Sequence, residues 1–251
     1  AEAQKLGYAE ADPALDINGW DAAHKAIILA SLAYGFWIDP KDVLVEGIEK
    51  VTAADIRFAE ELGYRIKLIA SIKADESGAI EVRVVPTLIP KSHVLASVNG
   101  VFNAVAVKGD VVGEALFYGR GAGQDPTSSS VLGDLAEAAA FLESPRQSVG
   151  FTAHSLYGPS KPIDDTISKY YLRLGVEDRP GVLAQIAGTL AKADIGILSV
   201  IQPEGLVDGS VPLILTLHDA PFGPMKKTAH ELASLPCVKG TPLLLHMETF
   251  Q

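Results

Sequence analysis

The chain has 251 residues, 48% hydrophobic and 21% charged, an ordinary globular composition with room for one or two cores. Its formal net charge of −10 argues against a nucleic-acid partner, because phosphate binding needs a basic footprint. Cys237 is the only cysteine, so no intrachain disulfide can form, and a cytoplasmic location is the simplest expectation. The most apolar run, Ala26 to Ile38, is shorter than the ~20 residues a bilayer needs, and no membrane partner is expected. The N-terminus lacks an initiating methionine and the charged-then-apolar order of a signal peptide; Ala1 to Leu6 reads as the interior of a helix.

The first distinctive segment places Glu10, Asp12, Asp16 and Asp21 ahead of Lys25. Asn18 is suited to cap a helix in which Asp21 takes the third position and reaches back to free amides. Lys25 follows Asp21 by one turn on the same face. The run Ala26 to Ala33 is apolar on nearly all sides, which predicts a buried helix. A lysine at its buried end is expected to be partly desolvated, with its pKa lowered toward a role in proton transfer. Taken alone, the pair also fits a capping acid and an ordinary surface ion pair, worth ~0.2–0.5 kcal/mol. A metal site is a third reading, but the spacing does not match an EF-hand loop. The six histidines show no ligand spacing, and no residue is assigned to a metal.

Asp39-Pro40 breaks the chain, and Thr52-Ala53-Ala54-Asp55 has the form of a capping box opening a helix that ends at Gly63. The period then changes to two. Ile66, Leu68, Ala70 and Ile72 alternate with polar residues, Asp75 to Gly78 turns the chain, and Ile80, Val82 and Val84 return against Glu81 and Arg83. A second hairpin is expected from Val101 to Val107 and Val111 to Tyr118. Gly119 to Gly123 then feeds a helix near Val131 to Leu142. Such a loop suits an anion but is more commonly a plain strand-to-helix turn, and its spacing is not the dinucleotide fingerprint.

A prolyl segment without period, holding Pro159 and Pro162, follows. Leu172, Leu174 and Val176 mark a strand, and Pro180 suits the first position of a helix with the stripe Val182, Leu183, Ile186, Ala187, Leu190 and Ala191. Strand Ile195 to Ile201, a turn at Asp208-Gly209, strand Val211 to His218, helix Met225 to Leu235 and strand Val238 to Met247 complete the order βαββαβ. RNA-recognition modules share this order, but the central strands lack their aromatics and basic surface. The expected fold class is α+β: a mostly antiparallel sheet with helices on one face, then a ferredoxin-like βαββαβ domain. The domains are expected at 1–148 and 169–251, joined by a linker at 149–168.

Two strings carry a resemblance to homoserine dehydrogenases. The first is Gly7-Tyr8-Ala9-Glu10-Ala11-Asp12-Pro13 followed by Asp16, Gly19, Asp21 and Lys25. The second is Phe117-Tyr118-Gly119-Arg120-Gly121-Ala122-Gly123 with Pro126-Thr127 behind it. The resemblance implies NAD- or NADP-dependent interconversion of L-homoserine and L-aspartate 4-semialdehyde, on the branch leading to threonine, methionine and isoleucine. It implies that Glu10 binds the substrate ammonium, that Asp16 and Asp21 orient the substrate, and that Lys25 transfers the proton. Gly121 and Gly123 are implied as cofactor contacts, and subunits are expected to pair through this domain into at least a dimer. A nucleotide-binding domain is expected before Ala1, so the chain reads as a C-terminal portion.

The string Asp178-Arg179-Pro180-Gly181-Val182-Leu183 resembles the start of ACT domains, which bind amino acids. The residues also fit a plain strand-to-helix turn. The resemblance implies an effector at Asp178, Gly181, Val182 and Leu183, with threonine the expected inhibitor. The competing expectation is a catalytically inert fragment that only dimerises and binds an amino acid.

Overall fold

The structure is a computed structural model that describes residues 12, 14–121, 123–144, 156–203 and 210–250. It divides into two compact units, Ala1–Ala14 with Lys91–Phe151 and Leu15–Pro90 with Thr152–Gln251.

The first described elements are α1 (Ala14–Asn18) and α2 (Trp20–Tyr34). Asn18 does not take the cap position expected of it: it ends α1, and its Oδ1 accepts the Trp20 amide at 3.1 Å. The residue immediately before α2 is Gly19, in the left-handed region at φ 87°, so Asp21 takes the second helical position and not the third. Helix α2 is buried on one side only, through Ala23, Ala26, Ile27, Ala30 and Ser31, while Ile28, Leu29 and Leu32 are exposed. The expectation of all-round burial therefore fails. A single helix has two sides, and only one meets the sheet.

A 3-10 turn at Pro40–Asp42, capped by Asp39, leads into β1 (Leu44–Val45). Helix α3 (Ala53–Glu61) carries the expected capping box, Thr52 and Asp55 satisfying each other's amides. The hairpin of β2 (Tyr64–Ala74) and β3 (Ile80–Pro90) pairs from Tyr64↔Pro90 to Ala74↔Ile80. Strand β3 departs from its amphipathic pattern, because Glu81 and Arg83 are as buried as the apolar residues between them.

In the other unit, β4 (Phe102–Gly109) and β5 (Gly113–Arg120) form a two-stranded sheet of their own. Helix α4 (Gln124–Glu143) starts well before Val131 and buries none of its described residues.

The C-terminal elements are β6 (Ile167–Val176), α5 (Val182–Lys192), β7 (Ile197–Ile201), β8 (Val211–Pro221), α6 (Phe222–Ala233) and β9 (Val238–Met247). Their order is the expected βαββαβ, and the strands lie side by side as β9-β6-β8-β7, each neighbour antiparallel. Pro180 does not occupy the first helical position. Gly181, at φ 89°, precedes the helix and Val182 begins it, because the tight entry needs a residue free to take positive φ. The turn expected at Asp208-Gly209 lies outside the described residues.

The two halves of the larger unit share one sheet. Strand β9 pairs in parallel with β3, Thr87↔His246 and Leu88↔Met247, and extends the sheet through β3 to β1 and β2. The compact units thus cut across the sequence boundaries at 148 and 169.

Three cores follow from this. Ile80, Val82 and Val84 of β3 pack under α2. Leu172, Leu174, Leu213, Leu215 and Leu217 pack under α5 and α6. On the opposite face of the C-terminal strands, α3 lays Ala54, Phe58 and Ala59 against Tyr171, Leu243 and Leu245. There the fully buried Asp55 accepts from Arg173 Nε at 2.5 Å and Nη2 at 3.2 Å, and from the Tyr171 hydroxyl at 3.3 Å. Removing one partner of such a pair leaves a desolvated charge. Arg173→Ala should therefore destabilise the fold by about 3–5 kcal/mol in urea unfolding. A loss no larger than the ~0.5 kcal/mol of a surface change would show that the pair bears no weight.

His246 is also buried, between the rings of Tyr170 (5.1 Å) and Phe222 (5.5 Å), and neither ring nitrogen has a hydrogen-bond partner among the described residues. Burial, reinforced by Arg83 and Lys73, pushes its pKa down to about 3. The unfolded chain takes up this proton near pH 6.5 and the folded chain does not, so stability falls as pH drops from about 6.5 toward 3. The melting temperature should decline over that interval, and His246→Phe should flatten the decline. Parallel curves for the two proteins would exclude His246 as the cause.

Candidate functional site

The segment ahead of α2 is held by backbone contacts. The Ile48 amide donates to the Ile17 carbonyl at 2.9 Å, and the Glu46 amide donates to Val84 of β3 at 2.8 Å. Gly47 makes the approach possible, since a Cβ there would come within 2.4 Å of the Ile17 carbonyl oxygen. A single glycine in a loop carried no signal of this in the sequence. It becomes meaningful only once the Ile17–Asn18 backbone lies against it.

On this support Asp21 and Lys25 form an ion pair one turn apart. The Lys25 side chain is 68% exposed and that of Asp21 47%, so the expected desolvation of Lys25 is absent. The physical reason is the one-sided burial of α2: the face with Asp21 and Lys25 is not the face on the sheet. Asp16 is exposed on α1. Glu10 lies outside the described residues. The structure thus brings Asp21 and Lys25 into contact and places Asp16 on the preceding short helix.

Gly121 and Gly123 belong to the other unit, with β4, β5 and α4. A Cβ at Gly121 would fall 2.0 Å from the side-chain Nδ2 of Asn103, so a side chain there would require Asn103 to move aside. Gly123, at φ 122°, immediately precedes α4, whose N-terminus has no side-chain cap. Uncapped amides at the head of a long helix suit a phosphate.

Asp178, Gly181, Val182 and Leu183 line one cavity of about 190 Å³ at the N-terminus of α5. No side chain caps this helix end, so its first amides can meet a carboxylate. Leu183 is half exposed at the cavity, while Val182 is buried. The cavity adds Arg179 and Gln202, which the sequence reading did not include. Gln202 follows β7 and comes near only through strand pairing, so spacing along the chain could not reveal it. Beside them, Glu177 pairs with Lys239 (2.7 Å) and Arg179 (2.8 Å), which draw its pKa down to about 2. Among the described residues no cluster of three or more metal-ligating side chains occurs, and no helix is long and apolar enough to cross a membrane.

Residues 1–136 match the family model for homoserine dehydrogenase. The chain belongs to the homoserine dehydrogenase family. Residues 170–202 match the ACT domain. The homoserine dehydrogenase of Pseudomonas aeruginosa is 48% identical over 224 residues, covering 87% of this chain and 51% of that protein. That of Neisseria gonorrhoeae is 42% identical over 99% of this chain and 58% of its own length. The crystal structure of a homoserine dehydrogenase from Thiobacillus denitrificans superposes with a TM-score of 0.87 at 40% identity, over 100% of this chain and 57% of that one. The chain spans about half the length of the curated relatives it matches.

Proposed function

We propose that this chain is the substrate-binding and regulatory portion of an NAD(P)-dependent homoserine dehydrogenase, a cytoplasmic enzyme of threonine, methionine and isoleucine biosynthesis. The observation that carries the reading is the Asp21–Lys25 pair at the head of α2, inside the stretch that matches the family model. In this reading Glu10 holds the ammonium of homoserine, and Asp16 and Asp21 orient the substrate. Lys25 gives or takes the proton at the oxygen of the carbon where hydride arrives or leaves, which needs a positive donor beside a developing alkoxide. The nicotinamide cofactor supplies or accepts the hydride when bound. Gly121 and Gly123 approach it, and the bare amides of α4 suit its phosphates. The exposed Ile28, Leu29 and Leu32 of α2 are consistent with pairing of subunits through this domain.

The cavity at α5 takes the effector, an amino acid for which threonine is the first choice. The Val182 and Leu183 amides meet its carboxylate and Asp178 its ammonium. The cavity at α5 supports a second reading: a dimerising amino-acid-binding module with no turnover of its own.

Lys25→Ala, in an enzyme carrying this chain with a nucleotide-binding domain, should lose most of its turnover with little change in cofactor affinity. Steady-state kinetics with a cofactor titration checks this, and near-normal turnover would remove Lys25 from proton transfer. Calorimetric titration of the chain with threonine should give saturable heat that homoserine and isoleucine do not. Absence of heat with threonine would reject it as the effector of this cavity.

A further inference from the structure

A second cleft in the larger unit shares no lining residue with the cavity at α5. It opens between the turn before β1, the turn at 162–164 and the first turn of α6, with a volume of about 380 Å³. That size lies within the ~300–1,000 Å³ range of small-molecule pockets. Its apolar wall is Leu44, Ile163 and Phe222, and all three belong to, or pack on, the core beneath α5 and α6. Its charged groups are Asp42, Asp164 and Lys226.

These charges are placed by the fold. The Ser160 hydroxyl donates to Asp42 at 2.5 Å and orients that carboxylate. Asp164 rests against the first turn of α6 at Gly223, where an added Cβ would come within 2.9 Å of the Asp164 Cβ. The Lys226 ammonium stands 5.7 Å from the centre of the Phe222 ring, and among the described residues it makes no ion pair or hydrogen bond. Glu46 feels its charge, but burial raises the Glu46 pKa against the pull of Lys50 and Lys226.

We infer that this cleft, which gathers Asp42, Asp164 and Lys226 beside an apolar wall, binds a small zwitterionic amino acid with an apolar side chain. The ammonium goes to the two carboxylates, the carboxylate to Lys226, and the side chain to Leu44, Ile163 and Phe222. The alternatives match less well. A simple anion would meet two carboxylates, and a neutral apolar molecule would use none of the three charged groups. The inference stands on this cleft alone and does not depend on an effector at α5.

The test is calorimetric titration of the whole chain with L-leucine, with L-leucinamide and 4-methylpentanoate as probes lacking the carboxylate or the ammonium. Saturable heat is expected with L-leucine and not with either analogue. Lys226→Glu and Asp42→Asn should each weaken binding by about tenfold or more, the scale of a lost charge-assisted hydrogen bond. Asp178→Asn, at the other cavity, should leave it unchanged. Lys226 is exposed, so its variant is expected to keep the wild-type melting curve, which circular dichroism verifies. Overturning results are no saturable heat with L-leucine, equal binding by the Lys226→Glu and Asp42→Asn variants, or loss of binding in Asp178→Asn.

Discussion

Strand β3 is buried on both faces, and the larger unit is arranged around that constraint. One face, Ile80, Val82 and Val84, is covered by α2. The residues between them bring Glu81 and Arg83 into the interior, where charge is tolerated only if paired. Arg83 finds Glu248, just beyond β9, and Glu81 lies 3.4 Å from Arg83. Lys73 of β2 reaches the same Glu248 at 2.8 Å. The last strand of the C-terminal domain therefore joins the first hairpin both through the backbone and through charge.

Asp55 serves the same end from the other side of the sheet. Its carboxylate closes the capping box of α3 while taking both the Arg173 guanidinium and the Tyr171 hydroxyl. A helix from the first half of the chain is thereby fixed on a face of the C-terminal strands. The consequence for function is one of placement. The cavity at α5 belongs to a sheet whose continuation, β3, accepts the Glu46 amide. The neighbouring residues Gly47 and Ile48 hold the backbone just ahead of Asp21 and Lys25. The cavity at α5 and the helix that carries Asp21 and Lys25 are thus built on one scaffold.

The two cavities differ in what they offer a ligand. The one at α5 presents backbone amides with Asp178 and Gln202, which suits recognition by hydrogen bonds. The one at α6 presents charges of both signs beside an apolar wall, which suits a zwitterion with a hydrophobic side chain. Each is formed by residues brought together from separate elements.

Much of this was legible in the residues themselves. The capping box at Thr52, the β2–β3 hairpin and the βαββαβ order rest on local rules of spacing and turn chemistry, which hold before any tertiary contact forms. Asp178, Gly181, Val182 and Leu183 are close in sequence, and so they line one cavity. Other features were decided only by the tertiary structure. The alternation that marks Glu81 and Arg83 as a solvent face is blind to Glu248, a partner 165 residues away from Arg83. The apolar helix α2 looked buried all round, but only one side meets β3, and Lys25 stands on the open part. Gln202 and Lys226 enter their cavities through strand pairing and helix docking that spacing along the chain cannot express. Local periodicity determines which elements form. Which of their faces become interior depends on distant segments that arrive to cover them.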